Sequence, residues 1–181
     1  MYLAMSRQAD REGYPEIVID YSDLGVYEEE KYTSDAIIRG VGAAFVERGR
    51  VIGGFTACIT SDVPGGSGLS SSAAFENMIG TILNYLYNDA AIDYVELAQI
   101  SQRAENHHFG KPCGLMDQCA SAVGALVNID FEDPENPIVN KVDVDFDKFG
   151  HSLCIVDTKG SHADLTADYA AVPEEMKKVA N

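Results

Sequence analysis

A glycine-rich segment followed by three serines is the stretch of this sequence best suited to chemistry. Residues 61–74 read SDVPGGSGLSSSAA, with glycines at 65, 66 and 68 and serines at 70, 71 and 72. Glycines let a ligand approach the main chain closely. The serines fall in the first turn of a predicted helix, where free N–H groups and the helix dipole favour an anion. The segment has no lysine, so a phosphate here would depend on amides, hydroxyls and a divalent cation. An ordinary strand-to-helix turn would carry the same residues.

Two carboxylates in a second segment could serve the same kind of reaction. Glu105 lies near the end of one predicted helix, and Asp117 lies near the start of the next, after a break at Gly110 and Pro112. This arrangement can direct both side chains into one cleft, one for a metal ion and one as a proton acceptor. The alternative is a purely structural role, because the helix dipole alone favours Asp near a helix start.

Net charge narrows the range of partners. The chain has 29 acidic and 13 basic residues and a formal net charge of −16. A nucleic-acid binder needs a basic surface, so no nucleic-acid partner is predicted. An anionic surface would also repel anionic lipid. A phosphorylated small molecule stays open, because amides and a metal ion can neutralise phosphate locally.

Sequence features also predict the compartment. No apolar run approaches the roughly 20 residues of a membrane span, and the first ten residues lack the basic and apolar regions of a secretory signal. The cysteines at 58, 113, 119 and 154 include no CxxC pair. These features predict a cytoplasmic protein with free thiols and no membrane partner.

The elements that must position the candidate residues follow from hydrophobic spacing. Ser34, as an N-cap, and Gly49 bracket one helical pattern, and Asp93 with Glu96 makes a capping box for another. Helices are predicted over about 34–49, 71–86, 93–108, 116–123 and 165–181. Strands are predicted over about 14–24, 51–60, 125–130, 138–146 and 152–156. The mixture predicts an α+β fold, and the pattern alone leaves the strand order open.

The two chemical segments together resemble a known family. Residues 64–74, PGGSGLSSSAA, resemble the phosphate-binding motif of the GHMP kinases, a family of small-molecule kinases. Residues 113–118, CGLMDQ, are similar to the form carried by the galactokinases of that family. Residues 157–169 resemble the segment with which those enzymes enter their second domain. The resemblance covers residues from about 35 to 170 and has the motifs in the same order.

The resemblance implies a role for each matching residue. The phosphates of ATP would be wrapped by one continuous loop, made of Gly65, Gly66, Ser67, Gly68, Leu69, Ser70, Ser71, Ser72 and Ala73. Ser72 and Glu105 would hold Mg²⁺ against those phosphates. Asp117 would be the catalytic residue facing the anomeric hydroxyl of the sugar, and the Gly114 backbone would lie along the sugar. The implied reaction is transfer of the γ-phosphoryl group of ATP to the C1 hydroxyl of galactose.

The resemblance also implies a fold and a division of the chain. The fold would be the GHMP-kinase N-terminal domain, which is ribosomal protein S5 domain 2-like, with a mixed or antiparallel sheet and helices. Residues 1–150 would form this domain without its first elements, with the phosphate loop at 64–74, and residues 151–181 would begin the C-terminal domain. The family's early Gly-Arg-x-Asn motif is not found before Ser61. We therefore expect an internal piece of a kinase, poorly active alone, that self-associates or meets a partner chain through truncated surfaces.

Two further interpretations stay open. The chain could belong to another GHMP kinase that acts on a different sugar or alcohol, although residues 116–118 favour galactose. It could also belong to a non-catalytic sensor that binds ATP and galactose to regulate a partner. The presence of Ser72 and Asp117 gives no support to that second alternative, because neither residue has been lost.

Overall fold

The computed structural model describes residues 22–63, 67–156 and 166–180. The helices in these ranges are α1 (Ser34–Glu47), α2 (Ser71–Tyr87), α3 (Tyr94–Ala104), α4 (Met116–Val123) and α5 (Thr166–Ala180). The strands are β1 (Leu126–Asp130) and β2 (Ile138–Val142). A π-helical turn, Glu105–Phe109, extends α3, and 3₁₀ turns lie at Glu28–Glu30 and Phe146–Phe149. The combination of helices with an antiparallel strand pair confirms the predicted α+β class.

The helix boundaries follow from the residues at their ends. Asp93 caps α3, because its carboxylate accepts hydrogen bonds from the amides two and three residues later, both at 2.9 Å. Gly49 follows α1 with φ +69°, a backbone conformation that favours glycine at a helix end. Thr33, and not the predicted Ser34, holds the N-cap position of α1. The predicted helices are otherwise confirmed to within a few residues.

The main core lies between α1, α2 and α3. The largest fully buried apolar side chains of this core are Val41, Phe45, Ile79, Leu83 and Ile100. Burying one such side chain stabilises the fold by roughly 1.5–3 kcal/mol. A smaller cluster of Ala98, Leu115 and Cys119 attaches α4 to α3. The helix that carries Asp117 is therefore fixed to the core.

The hairpin of β1 and β2 packs against the smaller cluster. The strands run antiparallel, with Ile129 opposite Val139, and both side chains contact that cluster. β1 is confirmed within one residue of its predicted start. β2 ends at Val142, before the predicted residue 146, because the chain turns into the 3₁₀ segment Phe146–Phe149.

Two predicted strands are wrong. Residues 51–60 and 152–156 form no strand. In the described ranges the only strands are β1 and β2, which pair with each other, so neither segment pairs with a strand. The Asn88 side chain instead forms hydrogen bonds with both backbone groups of Val51. It accepts from the amide at 3.0 Å and donates to the carbonyl at 2.8 Å. The prediction for residues 14–24 falls mostly outside the described residues.

Two observations bear on the predicted environment. In the part of the chain that the structure describes, no helix is both long enough and apolar enough to cross a membrane. Cys58, Cys113, Cys119 and Cys154 are all free thiols, as predicted. The cytoplasmic location stays a prediction.

Candidate active site

The glycine-rich loop enters α2 through a left-handed residue. Ser70 has φ 58° and ψ 44°, and its carbonyl accepts a hydrogen bond from the Ala74 amide at 3.1 Å. Gly68, two residues earlier, also has a positive φ, of 75°. Left-handed backbone costs a serine roughly 1–2 kcal/mol. The chain therefore makes a sharp turn into the helix, and the first amides of α2 stand at the end of the loop without partners in the helix.

The predicted phosphate-binding residues differ in exposure. Those at the tip of the loop are exposed: Ser67, Gly68 and Leu69. Those at the start of α2 are partly buried: Ser70, Ser71 and Ser72. Ala73 is buried in the helix, and Gly65 and Gly66 lie outside the described residues. The structure thus places an exposed loop directly before a partly buried row of hydroxyl groups.

A hydrogen bond joins the two segments that the sequence singled out. The Ser70 hydroxyl donates to Oδ2 of Asp117 at 2.6 Å, across 47 residues of sequence. Asp117 lies in the first turn of α4 and is exposed. The predicted catalytic carboxylate and the end of the predicted phosphate loop therefore lie side by side on the surface.

Glu105 begins the π-helical turn that extends α3. Its carbonyl accepts hydrogen bonds from the amides of Gly110 and Lys111, at 3.0 and 3.2 Å. Gly110 closes the turn with φ +86°. Insertions of this kind widen a helix locally and occur often at functional sites. The Glu105 side chain is only 2% exposed and points into the protein.

A buried cluster of Glu76, Glu105 and Gln118 lies behind the surface contact; we call it the carboxyl cluster. The side-chain amide of Gln118 donates to Oε2 of Glu105 at 2.9 Å and to Oε2 of Glu76 at 3.1 Å. All three side chains are at least 98% buried. Oε1 of each residue is buried without a hydrogen bond, although Lys111 Nζ lies 3.7 Å from Oε1 of Glu105.

Burial controls the protonation of this cluster. Burial, followed by the nearby charge of Glu105, raises the pKa of Glu76 to about 9. The Cys113 thiol lies beside the cluster, 3.5 Å from the Gln118 side-chain nitrogen. Burial and then the Glu105 charge also raise the pKa of Cys113 well above its usual range. A low-dielectric interior disfavours additional negative charge, so Glu76 is neutral near pH 7 and Cys113 is a thiol.

The residues expected to hold magnesium fit a hard cation. Magnesium in phosphoryl-transfer sites commonly takes one or two protein oxygens, with substrate phosphates and water completing the shell. Glu105 offers a carboxylate oxygen that has no hydrogen bond, and Ser72 offers a hydroxyl one helical turn before Glu76. Among the described residues no group of three or more acidic, His or Cys side chains could hold a metal unaided. Such a site would therefore depend on the nucleotide for its other ligands.

The predicted sugar segment is held by a side chain of the π-helical turn. Asn106 accepts a hydrogen bond from the Cys113 amide at 2.7 Å, and its own amide lies 3.5 Å from the Cys113 carbonyl. Gly114 is exposed, with no atom near the position of a β-carbon. The backbone at Gly114 is thus open to a ligand, although the preceding residue, Cys113, is hydrogen-bonded to Asn106.

Sequence reasoning missed Glu76, Gln118 and Asn106. Each is a polar residue within or beside a predicted helix, and two of them occupy fully buried positions. One signal was present, because Glu76 follows Ser72 by four residues and therefore shares its helix face. A second was that Gln118 directly follows Asp117, which places it on a different side of α4.

A groove lies elsewhere in the described structure. It has a volume of about 610 Å³ and is lined in part by Arg48, Glu96, Gln99 and Lys141. None of the predicted site residues lines it. The predicted site residues therefore lie outside this groove.

Comparison with known proteins identifies the family. Residues 36–125 match the model of the GHMP kinases N terminal domain. The chain belongs to the GHMP kinase family. The match includes Ser70, Asp117 and every member of the carboxyl cluster. It confirms the predicted fold of a GHMP-kinase N-terminal domain. The predicted boundary at residue 150 lies outside the matched residues and stays a prediction.

Three curated proteins named galactokinase are similar to this chain. The one from Clostridium tetani is 42% identical over 96 residues, covering 53% of this chain and 24% of the relative. The one from Pyrococcus furiosus is 39% identical over 117 residues, covering 60% and 33%. The one from Streptomyces coelicolor is 34% identical over 148 residues, covering 82% and 38%. The chain thus spans between a quarter and two fifths of the length of these relatives.

Proposed function

We propose that this GHMP kinase segment belongs to a galactokinase, which transfers the γ-phosphoryl group of ATP to the C1 hydroxyl of galactose. The observation that carries the proposal is the hydrogen bond between Ser70 and Asp117. It brings the end of a phosphate-binding motif beside the carboxylate of the CGLMDQ motif. The three similar proteins named galactokinase support the choice of sugar.

Different residues of this chain would bind the phosphates and the sugar during phosphoryl transfer. The loop of residues 65–73 binds the ATP phosphates through its amides and hydroxyls, at the positive end of the α2 dipole. Asp117 accepts a hydrogen bond from the C1 hydroxyl and fixes its direction. The hydroxyl oxygen bonds to the γ-phosphorus, the bond from that phosphorus to the bridging oxygen breaks, and the hydroxyl proton passes to Asp117. Positioning and charge stabilisation dominate such a reaction.

Ser72 and Glu105 are the residues that would hold magnesium. The ion, when bound, neutralises charge on the phosphates of the nucleotide. Glu105 suits this role because its Oε1 accepts no hydrogen bond and already faces a cation, the Lys111 ammonium at 3.7 Å. The position of Ser72 at the start of α2 gives it access to the same phosphates as the loop.

A substrate panel tests the proposal. The chain, and the same segment in an enzyme of the relatives' full length, would be assayed for ADP release with Mg²⁺, ATP and a series of sugars and alcohols. We expect the full-length enzyme to prefer galactose and the chain alone to show little or no activity. Preference for another substrate would indicate a different GHMP kinase. Binding of ATP and galactose without turnover would indicate a sensor. Turnover of galactose by the chain alone would contradict the expected dependence on further parts.

The expected association behaviour also stays a proposal. Apolar side chains are exposed at Leu153 (82%), Ile155 (71%) and Val156 (79%). Within α5, Val172, Met176 and Val179 are exposed too. Exposed apolar side chains in one stretch favour contact with another surface. Sedimentation of the chain over a range of concentrations would show whether it self-associates.

A further inference from the structure

Gln118 has the geometry of a residue that orients a metal ligand. Its single side-chain nitrogen reaches both carboxyl groups of the carboxyl cluster, at 2.9 Å from Glu105 and 3.1 Å from Glu76. The two contacts leave the other oxygen of Glu105 without a hydrogen bond. That second oxygen faces the Lys111 ammonium, whose Nζ lies 3.7 Å away, so the held carboxylate already presents it to a positive charge.

The setting of Gln118 limits its movement. It is 1% exposed, and its backbone carbonyl accepts a hydrogen bond from the Asn77 side chain at 3.0 Å. Asn77 in turn accepts a hydrogen bond from Ser101 of α3, at 3.2 Å. Buried side chains in a connected hydrogen-bond network have few alternative conformations. The Gln118 amide is therefore fixed in relation to both α2 and α3.

Glu76 completes the arrangement from the side of α2. It is 0% exposed, and its Oε2 accepts a hydrogen bond from the same Gln118 amide at 3.1 Å. An amide held at one carboxyl has a defined direction toward the other. The same helix presents Ser72 one turn earlier, so α2 carries both a predicted metal ligand and the residue that anchors Gln118.

We propose that Gln118, anchored by Glu76, is a positioning residue that orients the Glu105 carboxylate toward the metal ion of a bound metal–nucleotide complex. This inference rests on the proposed function, because it takes Glu105 as a metal ligand. Partners of metal-ligating carboxylates act in this way in other proteins, and their loss typically lowers metal affinity 10- to 100-fold. Gln118 follows Asp117 on α4, so one turn of helix would place both the acceptor of the sugar hydroxyl and the support of the metal ligand.

The test uses electron paramagnetic resonance to measure the affinity of this chain for the complex of Mn²⁺ with a non-hydrolysable ATP analogue, with the analogue and Mn²⁺ alone as the reference. We expect Gln118→Met and Glu76→Leu each to lower that affinity by about 10- to 100-fold. Glu76→Gln keeps the size and the hydrogen-bonding groups, so it should retain nearly full affinity. Glu105→Gln removes the proposed ligand and should lower the affinity at least as far as Gln118→Met does.

A matched variant serves as the control for loss of stability. Asn84→Ala removes a buried polar side chain of α2 that bonds the Ile92 backbone and lies outside the carboxyl cluster. It should destabilise the chain and leave Mn²⁺ affinity unchanged, and circular dichroism would confirm that each variant is folded at the assay temperature. If Glu76→Leu does not fold, Gln118→Met and Glu76→Gln decide the matter.

The outcomes separate the inference from the proposed function. Unchanged affinity in Gln118→Met would overturn the inference and leave the role of Glu105 intact. A large loss in Glu76→Gln would also overturn it, because direct ligation by a charged Glu76 would then be indicated. An affinity that Glu105→Gln leaves unchanged, or no binding by the unmodified chain, would overturn the assigned metal role and the inference with it.

Discussion

Two neighbouring residues of α4 lie in opposite surroundings. Asp117 is exposed, and its carboxylate accepts a hydrogen bond from Ser70. Gln118 is 1% exposed and donates to two buried carboxyl groups. Both contacts join α4 to residues at or in α2, but only the second is shielded from water. Water can replace the partner of an exposed group, whereas a buried group left without a partner costs about 1–3 kcal/mol.

This difference in burial separates a residue suited to react with substrate from a residue suited to hold other side chains in place. An exposed carboxylate can exchange its serine partner for a substrate hydroxyl at little cost. A buried carboxyl pair bridged by one amide cannot rearrange without losing the hydrogen bonds that hold it. The surface contact is therefore suited to chemistry and the carboxyl cluster to holding geometry. Four substitutions test this contrast.

The largest effect is expected at the surface carboxylate. Asp117→Asn in an enzyme of full length should lower kcat by about 10²- to 10⁴-fold, the range typical of losing a general base. Nucleotide affinity should change far less, because the phosphates contact the loop. Steady-state kinetics with a separate titration of ATP binding would check this. Equal losses in turnover and nucleotide affinity would contradict the assigned role.

The carboxyl cluster should make stability depend on pH. Because burial raises the pKa of Glu76 to about 9, the folded chain keeps a proton that the unfolded chain releases above its ordinary pKa of 4.5. The free energy of unfolding should therefore fall as pH rises between about 5 and 9, by up to about 1.4 kcal/mol per pH unit. Glu76→Gln should flatten that slope.

Urea unfolding in the presence of a chelator, from about pH 5 to about pH 8, would measure the slope. Asn84→Ala is again the matched control, because it should lower stability at every pH and preserve the slope. A slope in Glu76→Gln as steep as in the unmodified chain would show that another group carries the dependence.

The packing behind the cluster can be tested at Gly40 of α1. A β-carbon there would lie 2.9 Å from His108 and 3.0 Å from the Ala104 α-carbon, next to Glu105. Gly40→Ala should destabilise the chain by about 1–2 kcal/mol, since overpacking outweighs the gain in helix propensity. Gly80→Ala is the control, because its nearest contact is the movable end of Leu97 at 3.3 Å. Thermal unfolding of both variants would check the ranking, and equal losses would contradict it.

The smallest effect is expected from the surface hydrogen bond itself. Ser70→Ala should lower the free energy of unfolding by about 0.5–1 kcal/mol, because water replaces the lost partner of Asp117. Ser70→Gly loses the same bond but relieves the left-handed backbone, so it should be more stable than Ser70→Ala. Chemical denaturation of the pair would measure the difference. A loss of several kcal/mol in Ser70→Ala would show that the surface contact supports the fold as the cluster does.

Much of the local structure could be predicted. The capping residue Asp93 and the apolar spacing in α1, α2 and α4 fix helices, because they act over a few residues. Strands at 51–60 and 152–156 were wrongly predicted for the opposite reason. A strand needs a neighbour, and alternation within a segment does not show whether one is present.

The chemical residue types, the helices that carry them and the family follow from the amino-acid sequence alone. The glycine-rich loop, Glu105 and Asp117 stand out as motifs because their spacing is local. The contact of Ser70 with Asp117, 47 residues away, comes from the tertiary fold, as does the bridge from Gln118 to Glu105 and to Glu76, which is 42 residues away. Burial and long-range hydrogen bonds depend on how α2, α3 and α4 pack together. That packing leaves Asp117 in water and seals Gln118 one residue later.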